Sequence, residues 1–71
     1  MNKKKFSIKI AGDTSREKVF AEIYYNDDEW AEISQEEDKP LITIFPPTNK
    51  DCWEFPLHEA LEAIEEAKKS L

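Results

Sequence analysis

Cys52 and His58 are the two side chains of this chain best suited to nucleophilic chemistry, and each is the single residue of its kind. A thiol activated by an imidazole needs the two within hydrogen-bond reach and a third group to orient the ring. The pair lies on either side of an expected helix start, and no orienting residue stands out. Two soft ligands do not complete a tetrahedral zinc site. The acidic runs Asp27-Asp28-Glu29 and Glu36-Glu37-Asp38 are the other groups that bear on chemistry. A calcium loop alternates its ligands and places a glycine at its sharp turn. Here the acids are adjacent, and the one glycine, Gly12, lies elsewhere. Paired carboxylates acting as acid and base need a cleft, which a chain of this size has little room to build. The expectation is a non-catalytic protein with no metal and no cofactor.

Elements that position these residues follow from the apolar spacing. Leu57, Ala60, Leu61, Ile64, Ala67 and Leu71 recur at three and four, which predicts one amphipathic helix over Pro56 to Leu71. Its carboxylates concentrate toward the amino end and Lys68 and Lys69 fall in its last turn, the arrangement a helix dipole favours. Upstream the period changes to two. Phe6, Ile8 and Ile10 alternate with Ser7 and Lys9, predicting a half-buried strand over residues 6–11. Gly12 to Glu17 read as a loop, and Lys18 to Tyr25 as a second strand. Asn26, Asp27 and Asp28 supply a turn before a third strand over about Trp30 to Gln35. A fourth strand, Leu41 to Phe45, ends at Pro46 and Pro47, which cannot donate to a ladder. Cys52 to Phe55 is a candidate fifth strand.

Short connections between consecutive strands favour neighbouring antiparallel pairs. The fold class expected is therefore α+β: an antiparallel meander of four to five strands with one carboxy-terminal helix packed on one face. Seventy-one residues make a single domain, with residues 1–5 expected to fray. The expected core is Ile8, Ile10, Val19, Ala21, Ile23, Ala31, Ile33, Ile42 and Ile44, meeting Leu57, Leu61 and Ile64. Phe6 and one of Trp53 and Phe55 would seal its edges. Ala21 and Ala31 on neighbouring strands would let the helix approach the sheet closely.

Strict alternation then leaves Phe20, Tyr24, Trp30, Leu41 and Phe45 on the opposite face, which one helix cannot cover. Aromatic clusters rimmed by charge mark protein interfaces; the alternative is that the rings pack on one another across strands and stabilise the sheet. A net charge of -6 argues against a nucleic-acid partner, because neutralising phosphates takes clustered Lys and Arg, and Lys3, Lys4 and Lys5 form the one basic run. No apolar run is long enough to span a membrane, nothing reads as a signal peptide, and a lone cysteine forms no internal disulfide, so a cytoplasmic protein is expected.

The pattern AEIYYNDDEWAEIS, then ITIFPP, then WEFPLHEALEAIEEAKKSL, resembles small bacterial proteins built from a sheet, a proline break and a carboxy-terminal helix. The resemblance spans residues 21–71, implies that fold, and carries over no activity. Two functions are expected on these grounds. One is a protein-interaction or self-associating domain, a homodimer among the possibilities, using Phe20, Tyr24, Trp30, Leu41 and Phe45. The other is an acidic inhibitor of the immunity or antitoxin kind, holding a basic enzyme through Asp27, Asp28, Glu29, Glu36, Glu37 and Asp38.

Overall fold

A computed structural model describes residues 5–71. The elements run β1 (Phe6–Ala11), β2 (Phe20–Tyr25), β3 (Asp28–Ser34), β4 (Leu41–Ile44) and α1 (Leu57–Lys69). The strands form one antiparallel sheet in the order β1-β2-β3-β4, so the α+β meander read from the sequence is the fold. Residues 52–56 are irregular and add no fifth strand. The expected fraying of residues 1–5 lies outside the described residues except at Lys5, whose carbonyl accepts a hydrogen bond from the Asn26 amide at 2.8 Å.

The β2–β3 hairpin sets the geometry of the whole sheet. Asn26 and Asp27 have φ of 51° and 70°, and Tyr25 pairs with Asp28 across this two-residue turn. Positive φ at both central positions is the backbone hand that suits a tight hairpin, and Asn and Asp tolerate it. The third strand therefore begins at Asp28, two residues earlier than the sequence suggests. Such a turn dictates that Tyr24 face Glu29, as it does. Continued without a break, it would set Trp30 opposite Ile23 and turn Ala31 and Ile33 away from the helix. Instead Ile23 faces Ala31 and Ala21 faces Ile33, so Trp30 is an extra residue on β3. This β-bulge reconciles a register set by the turn with one set by the apolar pattern, which differ by one residue.

The helix lies across β1 and β2. Pro56 caps it with φ -58° and ψ 126°, and its carbonyl accepts the Ala60 amide at 3.1 Å. The core holds Ala21, Ile23, Trp30, Ala31 and Ile33 from the sheet and Ala63 and Ala67 from the helix, with Phe6, Ile8, Tyr25, Trp53, Phe55, Ile64 and Leu71 packed around them. Ala21, Ala31 and Ala67 are fully buried, so small residues on both elements let helix and sheet meet closely.

That docking corrects part of the expected core. Leu57 is 74% exposed, Leu61 56%, Ile44 61% and Ile42 45%, and Ile10 and Val19 are also exposed. The helix turns its alanine stripe, not its leucines, to the sheet. Glu59, Glu62 and Glu66 line the groove beside β1, and Leu57 and Leu61 lie on the other, exposed flank of the helix. A sheet four strands wide spans about 19 Å, and one helix about 10 Å across covers half of it. Of the other half, β3 is closed by the Trp53 and Phe55 segment, with its Trp30, Ala31 and Ile33 buried, and β4 is left open.

Candidate interaction surface

Trp30 does not share a face with Phe20 and Tyr24, contrary to the alternation. The bulge carries it to the helix side, where it is buried against Phe55 at 4.8 Å and Phe6 at 6.2 Å between ring centroids. Phe6, Tyr25, Trp30, Trp53 and Phe55 form one cluster, with Phe6 and Tyr25 4.7 Å apart and Tyr25 and Phe55 4.6 Å apart. Edge-on and tilted pairs of this kind suit the ring quadrupoles. The cluster fixes residues 53–55 and so the entry of the chain into α1. Trp53 Nε1 donates to the Phe45 carbonyl at 2.7 Å, whereas Trp30 Nε1 is buried without a partner among the described residues.

On the far face, Phe20, Glu22, Tyr24, Glu29 and Glu32 lie together. Phe20 is buried beneath the Arg16 guanidinium, which sits 3.9 Å from its ring centroid and donates from Nη1 to Glu32 Oε2 at 2.8 Å. Glu22 and Glu32 are direct cross-strand neighbours, a repulsive placement. Each carboxylate has its own donor: Arg16 for Glu32, and the Tyr24 hydroxyl for Glu22 at 3.0 Å. Burial raises the Tyr24 pKa, and the Glu22 carboxylate it serves adds to the shift. Glu29 is half-buried, and burial first, then the charges of Glu22 and Glu32, push its carboxyl above the usual range. The rings on this face are thus covered or engaged by neighbours within the chain.

The acidic runs are similarly divided. Only Asp27 of the first run sits in the turn; Asp28 and Glu29 belong to β3. In the second, the Glu36 carboxylate accepts the backbone amides of Glu17 and Lys18 at 3.0 and 2.7 Å, and these bonds lower its pKa. It clamps the loop leading into β2. Glu37 and Asp38 remain exposed. The two runs lie at opposite ends of the meander.

Cys52 and His58 are both exposed. His58 lines a groove of about 610 Å³ between α1 and β1 that also takes in Lys5, Phe6, Tyr25, Glu59 and Glu62. Among the described residues no three His, Cys, Asp or Glu side chains are gathered to hold a metal ion, and no helix is long and apolar enough to cross a membrane.

No protein family, curated protein or solved structure matches this chain.

Strand β4 stands apart from the rest of the sheet. Every residue from Leu41 to Ile44 is exposed, and among the described residues the strand pairs with β3 alone. Leu41 and Phe45 fall on the far face by alternation, and Ile42 and Ile44 on the helix face, where they pair with Ile33 and Ala31. Neither proline nor charge interrupts the strand, the devices with which sheet edges are commonly blunted. Periodicity alone places Ile42 and Ile44 in the core. The missing signal was the width of the helix against the width of the sheet.

Proposed function

We propose that this protein is a small non-catalytic interaction domain whose contact surface is the β4 edge, with the exposed Leu57 and Leu61 flank of α1 contributing. The observation that carries this reading is the exposure of all four β4 residues, two of them isoleucines on the side that elsewhere faces the core. Open strand edges recruit extended chains, with main-chain hydrogen bonds supplying affinity and alternate side chains supplying selectivity. The far face contributes Leu41 and Phe45 to the same edge. Trp30 and Phe20 are buried and lie outside this surface.

A random-peptide library panned against the wild-type domain tests this, with Ile44→Lys as counter-target. Ile44 is largely exposed, so the variant keeps its fold. Peptides that bind the wild type and lose at least tenfold on Ile44→Lys are expected. If no enriched peptide depends on Ile44, the reading fails.

The alternative of an acidic inhibitor draws less support. Glu36 is committed to Glu17 and Lys18, and Asp28 and Glu29 to a strand. Binding of a basic enzyme that weakens steeply with salt would favour it.

A further inference from the structure

We propose that the β4 edge pairs with β4 of a second copy of this chain, across a two-fold axis through Thr43. The inference rests on the interaction reading above and names the partner.

Three observations carry it. First, the segment Pro40-Leu41-Ile42-Thr43-Ile44-Phe45-Pro46 has the same pattern of residue types in both directions about Thr43. An isologous contact joins one patch to itself, so residue i meets j and j meets i. In an antiparallel pair centred on Thr43, Ile42 meets the partner's Ile44, Leu41 the partner's Phe45, and each Thr43 the other. Every such pair matches in polarity, and the seven residues carry no charge.

Second, the ladder to β3 fixes which backbone groups are free. The Phe45 amide donates to the Trp30 carbonyl at 2.9 Å, in line with the pairing of Glu32 with Thr43 and Ser34 with Leu41. Hydrogen-bonded positions alternate along an antiparallel strand. Odd-numbered residues therefore bond to β3, and the N–H and C=O groups of Ile42 and Ile44 point outward. These are the groups that a Thr43-centred pair brings together: each Ile42–Ile44 pair exchanges two bonds, and the symmetry makes two such pairs.

Third, Pro40 and Pro46 stand at the next outward positions, where neither has an N–H to give. They end the ladder at both sides and enforce its register. A slip of two residues sets a proline against an isoleucine and loses donors on each side. The opposite edge of the sheet, β1, has no such symmetry and carries Lys9 in its centre. The product is a continuous eight-stranded sheet with both helices on one face.

Sedimentation equilibrium and amide exchange on the wild-type chain, from about 10 µM to 1 mM, test the proposal. Pairing of two four-residue strands lies at the weak end of protein interfaces, so the mass is expected to rise from monomer to dimer within this range. The Ile42 and Ile44 amides should exchange at least tenfold more slowly at the high end. Thr43→Cys in a Cys52→Ser background gives an independent reading. Non-hydrogen-bonded partners sit about 4.5 Å apart between Cα atoms, within disulfide reach. Oxidised glutathione should cross-link this variant at least tenfold faster than Lys39→Cys in the same background. A chain monomeric throughout, a dimer whose Ile42 and Ile44 amides are unaffected, or equal cross-linking at positions 39 and 43 each overturns the proposal. A monomer that still selects Ile44-dependent peptides removes the second copy while leaving the interaction reading intact; one that selects none removes both.

Discussion

Arg16 roofs Phe20: its guanidinium carbon lies 3.9 Å from the ring centroid while its Nη1 reaches Glu32 at 2.8 Å. One side chain thus closes an apolar ring from water and neutralises a carboxylate that faces Glu22 across the ladder. Flat geometry is what allows both, since a planar guanidinium stacks and forks where an ammonium acts as a point charge. Arg16→Lys is expected to lower the urea midpoint, and Arg16→Ala to lower it further, with the slope unchanged. Equal midpoints for wild type and Arg16→Lys would show that the stacking contributes nothing.

Trp30 is a core residue whose indole N–H has no partner among the described residues. Trp30→Ala removes the ring on which Phe6 and Phe55 pack and should cost about 3 to 5 kcal/mol, a large fraction of a small domain's stability of about 5 kcal/mol or somewhat more. Trp30→Phe should cost well under half as much, because it also removes a buried N–H whose desolvation opposes folding by about 1 to 3 kcal/mol. Denaturant titrations of both variants check this. Similar losses would mean that the indole nitrogen has a partner in solution.

The helix should tolerate change where its sequence appears most apolar. Leu61→Gln is expected to alter stability by no more than about 0.5 kcal/mol, as at ordinary surface sites. Ala67→Leu, which enlarges a fully buried alanine, should cost about 1 to 3 kcal/mol through overpacking. Thermal or urea unfolding of the pair reads the order directly. The reverse order would place the leucines, not the alanines, against the sheet.

Glu29 and Glu36 should move stability in opposite directions with pH. The Glu29 carboxyl is raised in the fold, so the native state holds its proton at pH values where the unfolded chain has released it. Its penalty is absent below the unfolded pKa, grows as pH rises through the folded pKa, and is complete above it. Glu29→Gln should therefore be more stable than wild type at pH 7, with the gap closing as the pH falls through the carboxylate range. Glu36 is lowered by the Glu17 and Lys18 amides, so its contribution is present above the unfolded pKa and lost as pH falls through the folded one. Glu36→Gln should be less stable at pH 7, and that gap too should close in acid. Urea midpoints from pH 3 to 8 follow both, and parallel curves for the two variants would contradict the assignments.

Much of this architecture was legible in local pattern. The period of two in β1, β2 and β4, the period of about three and a half in α1, and the turn chemistry between them specify a meander followed by a helix, because backbone geometry ties side-chain direction to spacing along the chain. The bulge was also within reach. An Asn-Asp turn closing Tyr25 on Asp28 and an apolar pattern pairing Ile23 with Ala31 disagree by one residue, and only an insertion at Trp30 satisfies both.

What sequence by itself determined, then, was the element order, the strand partners and the near-palindrome about Thr43. Tertiary structure decided which apolar residues are inside. Leu57 and Ala67 both lie on the apolar stripe of one helix, and Ile23 and Ile44 both fall on the face of the sheet toward it; periodicity does not distinguish within either pair. The distinction arises because a helix docks where its backbone can approach most closely, over Ala21 with Ala63 and Ala67, and because one helix is half as wide as four strands. That docking buries Ile23 and leaves Ile44 at an open edge.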